Sequence, residues 1–410
     1  MIVSSTLKPQ FGLLSRPFRS HVIPIAKQTR SPITFSQSRL LQTRTLRERH
    51  SGTLKLPDLF ERWMSRIPIV HPNYKTVTDQ SVEWIAGRSR ICGYDRQQID
   101  KLHRVNFGYW PAIMVPDVSE ERLGVVADSI VWVFLFDDLL DEGPMRRDYK
   151  KRIEYASDMM SVLTNPQPKH TFPPSSQPMK IVLADIYNRL LENSEYPLGA
   201  TTRWSERLLH YIKSVQSSVI FEPSKGLEDS LRRYMEYKAD INGIPPLFSA
   251  VELASSLHIP DEVFEHPAMR ALERVGQDME TLQAHQLPKN SLYKLTMVSQ
   301  QNGYHENIIW LLGHHGLSVQ ESYDEVQVLL RGCFKAWYLA LAELPSWGEA
   351  VDRDVGRYIR GIENVVLGLA HFSFQTPRYF GCHREEVRRT RELKWSDIEV
   401  LYTAFTSERK

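Results

Sequence analysis

Long stretches of this chain carry apolar residues at helical spacing, and none alternates apolar and polar for the length of a strand. The longest is "VSEERLGVVADSIVWVFLFDDLLDE", residues 118–142: Ser119 suits an N-cap, Glu120 and Glu121 suit the first turn, and an apolar stripe follows. The same periodicity returns in "PMKIVLADIYNRLLENS", "TTRWSERLLHYIKSVQSSVIFEP", "SYDEVQVLLRGCFKAWYLALAELP" and "DVGRYIRGIENVVLGLAHFSF". The Pro-rich "TNPQPKHTFPPSSQP" between two of them reads as a loop. This pattern predicts an all-α single domain of about ten or more helices, beginning near "LKLPDLFERWMSRIP" and spanning 54–410.

The 410 residues are 42% hydrophobic and 24% charged, enough for a large core in a globular protein. A net charge of +2 implies no nucleic-acid surface. No apolar run reaches the length of a transmembrane helix. Cys92, Cys333 and Cys382 lie far apart, which excludes a disulfide framework and fits a reducing compartment such as the cytoplasm. Residues 1–53 stand apart. Up to Arg47 they hold Lys8, Arg16, Arg19, Lys27, Arg30, Arg39 and Arg44 with no acid before Glu48, the composition of a mitochondrial presequence or of a disordered basic arm.

The chemistry concentrates in "VFLFDDLLDEG", residues 133–143. Asp137 and Asp141 stand four residues apart on one helix face, and Asp138 pairs with Glu142 in the same way. Carboxylates sharing a face repel unless a cation lies between them, and oxygen-only ligands suit Mg²⁺. The alternative is a solvated helix end with Gly143 as its stop, against which stands the helix dipole that acids near a C-terminus oppose. With Trp132, Phe134 and Phe136 just before it, the motif describes an apolar pocket rimmed by a metal site, which suits a prenyl diphosphate.

"FLFDDLLDE" resembles the DDxxD motif of class I terpene synthases, in particular the fungal sesquiterpene cyclases. Further landmarks follow in that family's order: "LPDLFERW", "HPNYKTV" with "SVEWI", "NGIPPLFSAVELASSLHIPDEVFEHPAM", "NIIWLLGHHGLSVQES" and "YIRGIENVVLGLAHFSFQTPRYFG". The resemblance covers residues 55–385. It implies a helical bundle around a central apolar cavity, and a Mg²⁺ cluster that draws off diphosphate to leave an allylic cation. Farnesyl diphosphate would be cyclised to a sesquiterpene by a monomer or homodimer. On this resemblance Asp137, Asp138 and Asp141 bind metal. Arg378, Tyr379 and Lys238 hold diphosphate, and Phe134 and Phe372 line the cavity.

Two departures stand out. The family's second metal motif, NDxxSxxxE, keeps its closing acid in no register. "AHQLPKNSL" matches none of the four key positions; "NSLYKLTMV" keeps Asn290 alone, which makes Asn290 the candidate ligand. "QDMETLQAH" keeps Asp278 and Thr281 but ends in His285. The Arg-rich diphosphate sensor appears as "YKADING", where Lys238 replaces Arg and gives up its bidentate fork. Three readings stay open: a cyclase with a metal site rearranged through Asp278, Asn290 or His285; an enzyme that joins a terpenoid cation or diphosphate to another nucleophile; or a non-catalytic terpenoid-binding homologue.

Overall fold

The computed structural model describes residues 52–87, 95–141, 145, 148–164, 176–218, 221–286 and 307–394. Its helices are α1 (Tyr74–Gly87), α2 (Arg96–Val105), α3 (Tyr109–Met114), α4 (Glu120–Asp141), α5 (Tyr149–Thr164) and α6 (Pro178–Glu192). Next come α7 (Leu198–Ser217), α8 (Leu227–Ile241), α9 (Ile244–Ala254), α10 (Asp261–Glu265), α11 (Pro267–Gln286) and α12 (Ile308–His314). The long α13 (Val319–Ala342) and α14 (Glu349–Gln375) precede two short helices, α15 (Pro377–Phe380) and α16 (Arg384–Thr390). No helix among the described residues is long and apolar enough to cross a membrane.

The central helix is α4. Leu123, Val126, Ala127, Ile130, Val131, Trp132, Phe136 and Leu140 are all buried, so it is apolar nearly all round, as a helix enclosed by others must be. Helices α1, α3, α6 and α9 pack around it. Capping residues fix several starts: Asp95 with Gln98 opens α2, and Ser318 with Glu321 opens α13, each as a reciprocal capping box.

Two breaks matter for the site. Between α8 and α9 the chain turns at Asn242-Gly243: Gly243 has φ 64°, the Asn242 side chain accepts from the Ile244 N–H at 3.2 Å, and Pro245 and Pro246 restart the helix. A Cβ on Gly243 would lie 3.4 Å from Val133 of α4 and 3.4 Å from Tyr211 of α7, so the joint sits directly on α4. The second break follows α14, where Thr376 caps α15 by accepting from the Arg378 N–H at 3.2 Å.

One feature departs from the all-α expectation. Thr53–Lys55 pairs antiparallel with Glu392–Lys394, Leu54 opposite Leu393, and both leucines are buried. The ribbon joins the beginning and end of the described chain. Three residues per strand are too few to show a period-two pattern in sequence.

Candidate active site

The last two turns of α4 divide the site. Residues four apart share a face, so Phe134 goes with Asp138, and Val133 with Asp137. On the first face, Arg378 grips Asp138 with both terminal nitrogens, at 2.5 and 3.0 Å. Its guanidinium carbon also lies 5.5 Å from the centre of the Phe134 ring. The Thr376 cap sets the direction of the Arg378 backbone, and burial leaves its side chain only 11% exposed. A bidentate arginine–carboxylate pair this enclosed is fixed in geometry as well as charge.

Tyr379 joins the same cluster. Its ring meets Phe372 edge to face at 6.4 Å. Burial raises the phenol above the ordinary tyrosine range; Arg378 pulls the other way, while Asp138 and Asp137 push further up. The hydroxyl therefore keeps its proton near neutrality and is a donor.

Behind the charges stands an aromatic wall. Phe107, Trp110, Phe134 and Phe372 lie with ring centres 4.7–6.2 Å apart. Trp110 is locked by its indole N–H, which donates to the Val365 carbonyl at 2.9 Å. It fits closely against α14 at Gly368, where a Cβ would fall 2.5 Å from the indole. The sequence pointed to Phe134 and Phe372 but missed Phe107 and Trp110, which lie in "VNFGYWP", too short for a periodic signal. Trp132 and Phe136, expected beside the same pocket, turn away from it. They stack on each other at 4.9 Å; the Trp132 N–H donates to the Met179 carbonyl, and Phe136 packs on Tyr155 and Tyr211. A step of two residues turns a helix by roughly 200°, so Trp132 cannot share a face with Phe134.

The other face of α4 meets the α8–α9 joint and, beyond it, α11. Gln277 donates to the Ala239 carbonyl at 3.2 Å, and Asn242 donates to Thr281 Oγ1 at 3.1 Å. Gln277 and Thr281, two of the positions in the "QDMETLQAH" placement, thus face the end of α8. Asp278, the other position that placement keeps, is buried and paired with Arg274 at 3.0 Å. Lys238, on α8, is also buried, its amine 5.2 Å from the Tyr237 ring centre and 5.9 Å from that of Tyr234. The described contacts gather Asp138, Arg378, Tyr379, Phe134 and Phe372 into one cluster, with Asp137 near enough to raise the Tyr379 phenol, while Lys238 stands against α8's own tyrosines. Asn290 and the side chains of Asp141 and His285 lie outside the described residues.

The acidic end of α4 fits a hard divalent cation: carboxylate oxygens at Asp137 and Asp138, with Asp141 one turn on. The α11 side offers neutral oxygens at Gln277 and Thr281. Among the described residues no cluster of three or more His, Cys, Asp or Glu stands at metal-binding distance. The donor set therefore fits metal on one flank and lacks a described acid on the other.

The family model described as terpene synthase family 2, C-terminal metal binding, matches residues 128–336. Terpene cyclase 4 of Gibberella fujikuroi is 33% identical over 344 residues, covering 83% of this chain and 90% of that protein. Silphinene synthase peniA of Penicillium patulum is 26% identical over 356 residues, covering 86% and 92%. The solved structure of a-eudesmol synthase shares the fold, with a TM-score of 0.61 over 75% of this chain and 96% of that one at 17% identity. By sequence and by fold, this chain belongs to the terpene synthase family, among the fungal class I sesquiterpene synthases.

Proposed function

We propose that this terpene cyclase ionises farnesyl diphosphate with Mg²⁺ and closes the resulting cation to a cyclic sesquiterpene. The observation that carries the reading is the cluster at the end of α4, where Asp138, Arg378 and Tyr379 meet the ring of Phe134. Bound Mg²⁺ would supply charge to the leaving diphosphate, held by Asp137, Asp138 and Asp141. Arg378, on exchanging Asp138 for substrate as that carboxylate turns to Mg²⁺, offers a planar fork to diphosphate oxygens, and the Tyr379 hydroxyl donates beside it. Lys238 would hold phosphate as a point charge from the α8 side. Phe134 and Phe372, with Phe107 and Trp110, present ring faces to a developing cation and keep water from it.

The test is incubation of the purified chain with Mg²⁺ and geranyl, farnesyl or geranylgeranyl diphosphate. Released diphosphate and extracted hydrocarbons are measured together. Diphosphate and a cyclic fifteen-carbon olefin are expected from the farnesyl substrate. Release from none of the three sinks the reading. Release only when an amine or alcohol is supplied would favour transfer of the cation to another nucleophile.

A further inference from the structure

Arg378 and Tyr379 stand on α15, a helix of four residues. A single turn has little stability of its own, so its direction is set by what its two ends rest on. Thr376 caps the start. The far end is Phe380, fully buried, whose ring lies on Phe374 of α14 with centres 5.0 Å apart and planes 3° from parallel.

Phe374 has a second aromatic neighbour, from the opposite end of the described chain. Phe60 meets its ring at 5.9 Å and stands edge-on to His371 at 5.0 Å. The Arg388 guanidinium carbon of α16 covers Phe60 at 5.1 Å from the ring centre. Phe60 thus touches α14 and α16, the two helices against which α15 packs. It is carried there by a strap, residues 53–66, tied down along its length. The strap begins in the pairing with Glu392–Lys394. The Lys55 N–H donates to Gln320 Oε1 of α13 at 2.8 Å, and Gln320 Nε2 donates back to the Lys55 carbonyl at 3.1 Å. Arg331 forks Glu61 at 2.6 and 3.0 Å, and Arg66 reaches Glu363 of α14 at 2.7 Å. Such pairs alone would hold a surface segment weakly, but Leu54, Leu56, Leu59 and Met64 are buried beneath them. Ring contacts therefore run from the strap through Phe374 to Phe380, which follows Arg378 and Tyr379 directly.

We propose that Phe60 is a positioning residue for the diphosphate grip: through Phe374 and Phe380 it sets where α15 holds the Arg378 fork. This rests on the cyclase reading above. A guanidinium displaced by about 1 Å keeps its charge but loses the two-pronged geometry, the part of the interaction that depends on direction. The effect of Phe60 on substrate thus passes through Arg378, a property that ordinary packing does not share.

A double-mutant cycle isolates that property. Binding of inorganic pyrophosphate with Mg²⁺ is measured by calorimetry on the full chain, for the wild type, Phe60→Ala, Arg378→Met and the two together. Phe60→Ala should weaken pyrophosphate binding about tenfold in the wild-type background, and by no more than about twofold once Arg378 is gone. Phe60→Tyr, which keeps the ring, should bind as the wild type does. Farnesol, which carries no phosphate, should bind the wild type and Phe60→Ala alike. Unchanged pyrophosphate affinity in Phe60→Ala overturns the proposal. So does an equal loss in both backgrounds, the signature of a fold loosened as a whole. Should Phe60→Ala not fold, Phe60→Leu takes its place in the cycle, with a loss of about threefold expected and the same two outcomes overturning the proposal. Diphosphate release from farnesyl diphosphate, read on the same variants, should show the same non-additivity. A wild type that shows the coupling in pyrophosphate binding yet releases nothing refutes the farnesyl reading and keeps Phe60 as the residue that places Arg378. A wild type that binds no pyrophosphate overturns both.

Discussion

The two flanks of α4 are built on opposite principles. Toward α15, charge meets charge: Asp138 is gripped by Arg378, and Tyr379 and Phe134 enclose the pair. Toward α11, neutral groups satisfy one another: Gln277 is tied to a backbone carbonyl and Thr281 to Asn242. A site that shares several cations with a diphosphate needs negative oxygens on both sides. Here the α15 flank can hold a cation by charge, while among the described residues the part of α11 that meets the α8–α9 joint presents the neutral Gln277 and Thr281.

The contrast predicts unequal damage. Asp137→Ala should lower diphosphate release by about 10³-fold with the melting temperature nearly unchanged, since the carboxylate is only half-buried. Release that survives this substitution would remove the acidic flank from the chemistry. Arg378→Met should follow, with roughly 10²-fold lower release and about 2 kcal/mol less stability in denaturant unfolding, because Asp138 loses its buried partner. Arg378→Lys should restore much of the stability and less of the rate, as lysine lacks the two-pronged donor. Equal recovery of both would argue that Arg378 serves packing alone.

Much of this site is local chemistry and was legible in the sequence. Acids after an apolar run mark Asp137 and Asp138, and the ordered landmarks mark Arg378, Tyr379 and Phe372. What escaped depends on contacts between distant segments. Phe107 and Trp110 become a wall only because α14 brings Phe372 against them. Periodicity could not choose between Trp132 and Phe134, because α4 is apolar on every side. Glu280 sits in "GQDMETLQ" and reads as a polar surface position; it is buried because helices enclose α11 on several faces.

A smaller change would sharpen the contrast by repairing the weak flank. In the "QDMETLQAH" placement, which contains Gln277 and Thr281, His285 stands where the resemblance expects an acid. His285→Glu should lower the Mg²⁺ concentration for half-maximal diphosphate release by about tenfold, since a carboxylate replaces a nitrogen that suits Mg²⁺ poorly. An unchanged Mg²⁺ dependence would place the second half-site elsewhere.

The smallest effect concerns stability against pH, where the two sides again act in opposite senses. His371 precedes Phe372 on α14; Arg388 donates to its Nδ1 at 3.1 Å, and the ring stands edge-on to Phe60. Burial, reinforced by the Arg388 charge, lowers its pKa from 6.5 to about 4. Below pH 6.5 the unfolded chain therefore binds a proton that the folded chain refuses. The folded state loses stability as pH falls, by about 1 kcal/mol between pH 7 and 5.5, and the loss levels off below about pH 4. Glu280 does the reverse: its raised pKa keeps the folded chain protonated where the unfolded carboxyl has ionised, so that position gains stability as pH falls toward 4.5. The two trends offset each other in the wild type and separate only by difference. Against His371→Gln, the wild type should weaken as pH falls; against Glu280→Gln, it should strengthen. Urea unfolding at pH 7 and 5.5 reads both, and a difference that ignores pH in either pair would mean that the group is not buried in the form its surroundings dictate.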